Sequence, residues 1–354
     1  MIFINSNPIR LIELFAGIGS QAKAMANLGL DFEHWRICEF DENAIRSYNA
    51  VHGTDFVTSD ITEINAGDLG ITETDKFTYL LTYSFPCQDL SSQGKGAGMK
   101  KGSGTRSGLL WEVERLLDEC TELPQVLLME NVPQVHGEKN MEHFNEWITF
   151  LESKGYSNYW QDLNSKDYGV PQNRNRCYMV SILGDYSFEF PGPVVLEKTL
   201  GDILDENVGK QYYITEGGRG TMLQRTVCDK AIKITKPYEM IDYTYSNARL
   251  KELESDGKLT VRNRSDALIS CTLTTRLDNF AVRMPNDKFR VLSTLEGWRL
   301  MGFDDNDYHR ASAVCCDKEL RKQAGNSIVV NVLMAIFKKL FVPGTDPEME
   351  DWML

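Results

Sequence analysis

LIELFAGIGSQAKAMANLG, residues 11–29, is the stretch that decides the fold. Leu11–Phe15 is apolar apart from Glu13 and reads as a buried strand. Gly17 and Gly19 make a turn, and the residues from Gln21 read as a helix that stops at Gly29. A glycine turn between a strand and a helix lets a ligand approach the backbone at the helix N-terminus. Glu39 follows about twenty residues on, where an acid can bind ribose hydroxyls. This is a nucleoside-binding arrangement, and at this level it suits a dehydrogenase as well as a methyltransferase.

The same alternation continues outward. Residues 35–39 (WRICE) are strand-like, and 41–53 (DENAIRSYNAVHG) form a helix with a glycine stop. Residues 79–84 (YLLTYS) are a third strand, and 125–131 (QVLLMEN) a fourth. In 107–120 (SGLLWEVERLLDEC), Leu109, Val113, Leu116 and Leu117 share one helical face. Residues 140–155 (NMEHFNEWITFLESKG) read as a helix and 177–183 (CYMVSIL) as a strand. The pattern predicts an α/β, Rossmann-like fold with a mostly parallel sheet and helices on both faces. It breaks near residue 190, at Pro191-Gly192-Pro193, and returns with the apolar helix VVNVLMAIFKKLF at 329–341. The expected organisation is a discontinuous larger domain (1–189 and 320–354), a smaller inserted domain (190–293) and a hinge segment (294–319).

Composition narrows the class. A chain of 354 residues that is 42% hydrophobic can bury a large core. The most apolar stretch, 327–336, is too short to span a bilayer and ends near Lys338 and Lys339. No basic start followed by an apolar run opens the chain, so a soluble cytoplasmic protein with no membrane partner is expected. Eight cysteines without a C-x-x-C pair suggest neither a disulfide scaffold nor zinc, and no metal is expected. The net charge of −13 argues against nucleic acid, but its distribution does not. Residues 207–300 hold sixteen Lys and Arg against eleven Asp and Glu, a surplus of five positive charges, which leaves −18 on the remainder. Such a split suits a lobe that faces nucleic acid.

Three further motifs carry chemistry. Ser84-Phe85-Pro86-Cys87-Gln88 directly follows a strand, so Cys87 stands at the edge of the sheet where ligands bind. The loop after it is rich in Gly, Ser and Lys; it could close over a substrate, and Lys95, Lys100, Lys101 and Arg106 could meet phosphates. Glu130-Asn131-Val132 closes the fourth strand with a carboxylate able to act as acid, base or acceptor. In Gln172-Asn173-Arg174-Asn175-Arg176, two arginines at alternate positions suit an anionic or carbonyl target.

Taken in order, the F-x-G-x-G turn, SFPCQ, ENV, Q-x-R-x-R and the late QAGNSIVVNV (323–332) resemble the motifs of the cytosine-5 DNA methyltransferases, bacterial and phage types above all. The resemblance runs from residue 11 to about 190 and from about 290 to 340. Glu13 stands where the family usually has Asp, Ser20 where it has a second Gly, and Arg106-Ser107-Gly108 where an Arg-Gly pair is common. The resemblance implies Cys87 as the nucleophile that adds to carbon 6 of a flipped cytosine, with its pKa lowered by nearby positive charge or helix N–H groups. Glu130 would hold ring nitrogen 3 and the exocyclic amine, Arg176 the ring carbonyl, and Arg174 would support the same site.

The implied cofactor is S-adenosylmethionine. Phe15 and Phe40 would pack on its adenine, Gly17 and Gly19 form the turn, Glu39 takes the ribose and Asp60 the adenine amine. Ala16, Ile61, Pro86, Leu109, Asn326 and Ile328 would complete that site. Residues 190–293 would be a target-recognition domain, where Thr272-Leu273 resembles the family's Thr-Leu pair. Gln88, Lys95, Arg106, Thr272 and Leu273 are the candidates for contact with double-stranded DNA. The segment from Arg290 to Gly302, with Glu296, would be structural. A monomer is expected; the sequence leaves open a restriction–modification role with a cognate restriction endonuclease, phage self-protection or a solitary role. The rival readings are a tRNA cytosine-5 methyltransferase, which the long basic segment disfavours, and a nicotinamide-dependent dehydrogenase, which gives no reason for SFPCQ.

Overall fold

The computed structural model describes residues 7–90, 98–213, 239–242, 269–270, 272–275, 280–283 and 289–342. Among these, six strands form one sheet: β1 (Ile9–Leu14), β2 (Phe32–Cys38), β3 (Thr78–Tyr83), β4 (Val126–Asn131), β5 (Tyr156–Asn164) and β6 (Asn175–Leu183). Their order is β2-β1-β3-β4-β6-β5. The first four are parallel neighbours, and β6 runs antiparallel to both β4 and β5. The mostly parallel sheet read from the sequence is the one observed. Strand β5 was not foreseen. It is an edge strand, half-exposed along most of its length, so YSNYWQDLN shows no apolar alternation.

Helices cover both faces. In chain order they are α1 (Ser20–Asn27), α2 (Glu42–His52), α3 (Ala66–Leu69), α4 (Leu110–Glu119), α5 (Met141–Ser153), α6 (Leu200–Ile203), α7 (Thr294–Arg299), α8 (Asp305–Ser312), α9 (Asp317–Asn326) and α10 (Val330–Phe341). Strands β3 and β4 are buried along their whole length, which is why they read as continuous apolar runs. Leu80, Val126, Leu128, Val180 and Ile182 face one core with α1, α7 and α10. Tyr79, Leu81, Leu127, Met129 and Met179 face the other, with α4 and α5. Each such side chain removed from water contributes about 1.5–3 kcal/mol.

The C-terminal helix α10 packs into the core shared with β1. Val330, Val332, Leu333, Ile336 and Phe337 of α10 are at most 1% exposed and sit in the same core as β1. Trp298, Leu300 and Met301 are fully buried there too, so the stretch expected to act as a hinge is seated in that core. Arg290 and Glu296 fasten it: their side chains are 0% exposed and paired at 2.6 Å. Glu296 also accepts the Ser293 and Asp205 backbone N–H groups at 2.7 and 2.8 Å, so this buried pair is well satisfied. Among the described residues, β7 (Glu239–Asp242), β8 (Phe280–Arg283) and β9 (Phe289–Arg290) form a separate small antiparallel sheet.

No single helix among the described residues is long and apolar enough to cross a membrane.

Candidate active site

The candidate residues gather at the C-terminal ends of the parallel strands. Beyond β1, Phe15, Gly17 and Gly19 all have positive φ (58°, 56° and 77°). Gly19 caps α1, and a Cβ there would stand 2.3 Å from His52 Nε2, so only glycine fits. Gly17 has open space where a Cβ would be. Glu39, just past β2, accepts the Gly17 N–H and the Asp41 N–H, both at 2.9 Å, and so braces the turn from across the sheet edge. Burial raises the Glu39 carboxyl, against the pull of those N–H groups. Next to it the Phe40 ring is 73% exposed. The exposed Asp60 carboxylate accepts from the Thr62 backbone and hydroxyl at 2.9 and 2.8 Å, which lowers its pKa. Asn326 is exposed at the end of α9. The side chains of Ala16, Ile61 and Ile328 are buried, so any part they play there runs through their backbone or packing.

The turn after β3 is held from three sides. Asn131 Nδ2 donates to the Phe85 carbonyl at 2.9 Å, and Ser107 Oγ to the Pro86 carbonyl at 2.7 Å. Asp89 accepts the N–H groups of Arg106 and Ser107 at 2.8 and 3.3 Å. Cys87 is thereby fixed, half-buried against the core that contains Met129 and Trp111. Leu109 is half-buried against the same core.

Glu130, near the end of β4, is 8% exposed. Its Oε1 lies 3.2 Å from Arg176 Nε, on the strand antiparallel to it. Burial raises the Glu130 carboxyl, and Arg176 and then Arg174 oppose that rise. The expectation of a lowered Cys87 pKa is corrected. Burial raises it, the Glu130 charge adds to the rise, and the two arginines offset only part.

Arg174 is 4% exposed and donates to three backbone carbonyls: Leu273 at 2.9 Å, Ser327 at 2.9 Å and Gly325 at 3.1 Å. Burial lowers its pKa to about 9, so it keeps its charge near neutrality.

A family model for C-5 cytosine-specific DNA methylases matches residues 9–342. The chain belongs to that family. Among its relatives, the type II methyltransferase M2.ScrFI of Lactococcus lactis subsp. cremoris is 31% identical, over 94% of this chain and 99% of that protein. The orphan methyltransferase M.SssI of Spiroplasma monobiae is 34% identical, over 74% of this chain and 65% of its own length. In fold, the chain is similar to the Entamoeba histolytica methyltransferase EhMeth, with a TM-score of 0.70 at 16% identity, covering 95% and 98% of the two chains. It is also similar to the S. pombe Dnmt2 methyltransferase, with a TM-score of 0.66 at 20% identity, covering 94% and 98%.

Set in this C-5 cytosine methylase, the residues expected at DNA divide. Gln88 and Arg106 are exposed beside the Cys87 turn, while Lys95 lies outside the described residues. Lys101 is already engaged, 2.6 Å from Glu114. Thr272 donates its hydroxyl to the Asn173 carbonyl at 2.6 Å. Leu273 is 1% exposed and is corrected from DNA contact to anchor, because its N–H donates to Gln172 Oε1 at 3.0 Å and its carbonyl takes Arg174. Sequence reasoning missed Gln172, Asn131 and Ser107 as positioning residues. Gln172 is 0% exposed and also donates to the Leu300 carbonyl at 2.7 Å. The signal was available: each is a polar residue inside a motif already singled out, and a buried polar group must have a partner.

Proposed function

We propose that this methylase transfers a methyl group to carbon 5 of a flipped cytosine within a specific sequence of duplex DNA, with Cys87 adding covalently to carbon 6. The observation that carries this reading is the Glu130–Arg176 pair, 3.2 Å apart, whose charges act on Cys87 from the same strand ends.

The residues fit S-adenosylmethionine as cofactor. Gly17 leaves a cradle open above the turn, and Phe40 offers an exposed aromatic face. Each Glu39 oxygen accepts one N–H and keeps a lone pair for a ribose hydroxyl. Phe15, Asp60 and Asn326 would complete the hold. When bound, the cofactor supplies the methyl group that carbon 5 takes.

Carbon 5 of cytosine is a poor nucleophile. Addition of the Cys87 sulfur to carbon 6, with the thiol proton released to solvent, makes it enamine-like. Glu130, whose carboxyl is raised by burial, gives a proton to ring nitrogen 3 and becomes a carboxylate beside Arg176. Arg176 also holds the ring carbonyl, and Arg174 fixes the backbone behind it. After methylation the carbon-5 proton leaves, the nitrogen-3 proton returns to Glu130, the sulfur–carbon bond breaks and Cys87 is restored.

Residues 190–293 would choose the DNA sequence and the flanking parts would carry the chemistry. The enzyme would act as a monomer in the cytoplasm, paired with a restriction endonuclease of the same specificity.

Incubation with methyl-labelled S-adenosylmethionine and either duplex DNA or tRNA tests the reading, with nucleoside mass spectrometry as the readout. Label in DNA as 5-methylcytosine is expected. Label in tRNA alone would replace DNA by RNA as the substrate.

A further inference from the structure

Glu130 and Arg176 face one side of the sheet, and on the opposite side three metal-ligating side chains meet. Cys177 directly follows Arg176 on β6, and strand alternation turns it to the other face. Asp162 on β5 is its cross-strand partner. His136 ends the short 3-10 turn Pro133–His136 that leaves β4. One donor atom from each, an imidazole nitrogen, a carboxylate oxygen and the sulfur, lie within 4.8 Å of one another.

The cluster is built and accessible. His136 Nε2 is 2.9 Å from Asp162 Oδ1, and Trp160 packs on the imidazole at 4.7 Å between ring centroids. The side chains of His136 and Asp162 are 20% and 30% exposed, whereas Cys177 is fully buried. The site therefore opens to solvent on its nitrogen and oxygen side and closes over the sulfur. The donors come from three separate elements, so no spacing along the chain displays them. That is why the cysteine pattern suggested no metal.

The geometry points to a binding site for a zinc-class divalent cation, held by the Cys177 thiolate, the His136 imidazole and the Asp162 carboxylate, with water as fourth ligand. This donor set suits a tetrahedral borderline-soft ion and not magnesium or calcium. Ligand bonds of about 2.0–2.3 Å put such donors roughly 3.4–3.7 Å apart. The separations, none above 4.8 Å, need close by no more than about 1 Å and the His–Asp contact open slightly, a change that side-chain rotation can supply. On binding, the Cys177 thiol releases its proton to solvent, and the His136–Asp162 hydrogen bond gives way to two metal bonds. Burial alone favours the thiol, but coordination deprotonates it outright. The ion would tie the exit of β4 to β5 and β6, directly behind the strand ends that carry Glu130 and Arg176.

The test is a Co²⁺ titration of the full chain carrying Cys87→Ser, which removes the thiol of the candidate active site. A near-ultraviolet thiolate-to-cobalt charge-transfer band, saturating at a single equivalent and displaced by Zn²⁺, is expected. Cys177→Ser should abolish the band. His136→Gln, at a half-buried position the fold tolerates more readily, should weaken cobalt affinity about tenfold or more. No band, a band that survives Cys177→Ser, or an unchanged affinity in His136→Gln would each overturn the site. If Cys177→Ser fails to fold, the His136→Gln titration decides alone.

Discussion

Two arginines two residues apart do different work. Arg176 keeps its Nε 3.2 Å from Glu130 and is available to a substrate, whereas Arg174 spends its guanidinium on three backbone carbonyls. Glu130 is the group whose protonation matters most, because burial favours its neutral form while both arginines favour its charged form. Glu130→Gln keeps the shape and one donor but cannot exchange a proton. It is expected to lower kcat by about 10²–10⁴ while leaving S-adenosylmethionine affinity within about twofold, measured by single-turnover kinetics and equilibrium binding. Equal turnover would remove Glu130 from the chemistry. Cys87, Glu130 and Arg176 come from three motifs singled out in the sequence, and the structure brings them together beyond β3, near the end of β4 and near the start of β6. The division of labour between Arg174 and Arg176 was not legible there, because it depends on carbonyls at 273, 325 and 327 that only the fold brings near. The raised Cys87 pKa was also hidden, since burial is not written in a spacing.

At the scale of elements, the glycine turn is supported from below by a buried polar chain. Glu13 on β1 is 0% exposed and accepts the Tyr48 hydroxyl of α2 at 2.5 Å, and that hydroxyl is 2.9 Å from His34 Nδ1 on β2. Burial raises the Glu13 carboxyl to about 7, although Tyr48 and the Ala22 backbone pull it down. The sign follows from linkage: the native state holds this proton more tightly than the unfolded chain. The stability it confers is complete below about 4.5 and is lost as pH rises through about 7. His52 works in the opposite sense, its pKa lowered to about 3 by burial, so its contribution is lost as pH falls below 6.5. The difference between wild type and Glu13→Gln isolates Glu13. Thermal unfolding from about pH 5 to 7.5 is expected to show wild type falling more steeply than the variant; parallel curves would mean that Glu13 does not titrate in that window. In the sequence Glu13 showed only as a departure from the usual Asp. The helices were easier to read, since Asp41 and Gly53 bound α2 as the capping pattern requires. Strand β5 escaped because an edge strand with a half-exposed face has no apolar period.

Over the whole molecule, one sheet gathers the candidate residues at a single edge. The strand ends that carry Cys87, Glu130 and the Gly17 turn belong to one sheet, and α10 packs in one of its two cores. Residues 207–300 hold the surplus of positive charge, within a chain of net charge −13. Arg174 and Gln172 join the two, reaching from beside the catalytic sheet to Leu273. On the proposed function, a base that leaves its stack, at a cost of a few kcal/mol, would enter at this edge beside Cys87. Composition and motif order suggested a discontinuous plan. The bonds from Gln172 and Arg174 to residues 273, 300, 325 and 327 were not legible, because they join backbone and side-chain groups far apart in the chain.

The most direct measurement is a denaturing gel of the protein incubated with S-adenosylmethionine and duplex DNA that contains 5-fluorocytosine, with Cys87→Ser beside it. Fluorine cannot leave carbon 5 as a proton does, so the sulfur–carbon-6 bond should persist. A covalent protein–DNA complex that requires both the cofactor and Cys87 is expected. A complex that still forms with Cys87→Ser, or none on DNA that the wild-type protein demonstrably methylates, would contradict Cys87 as the nucleophile.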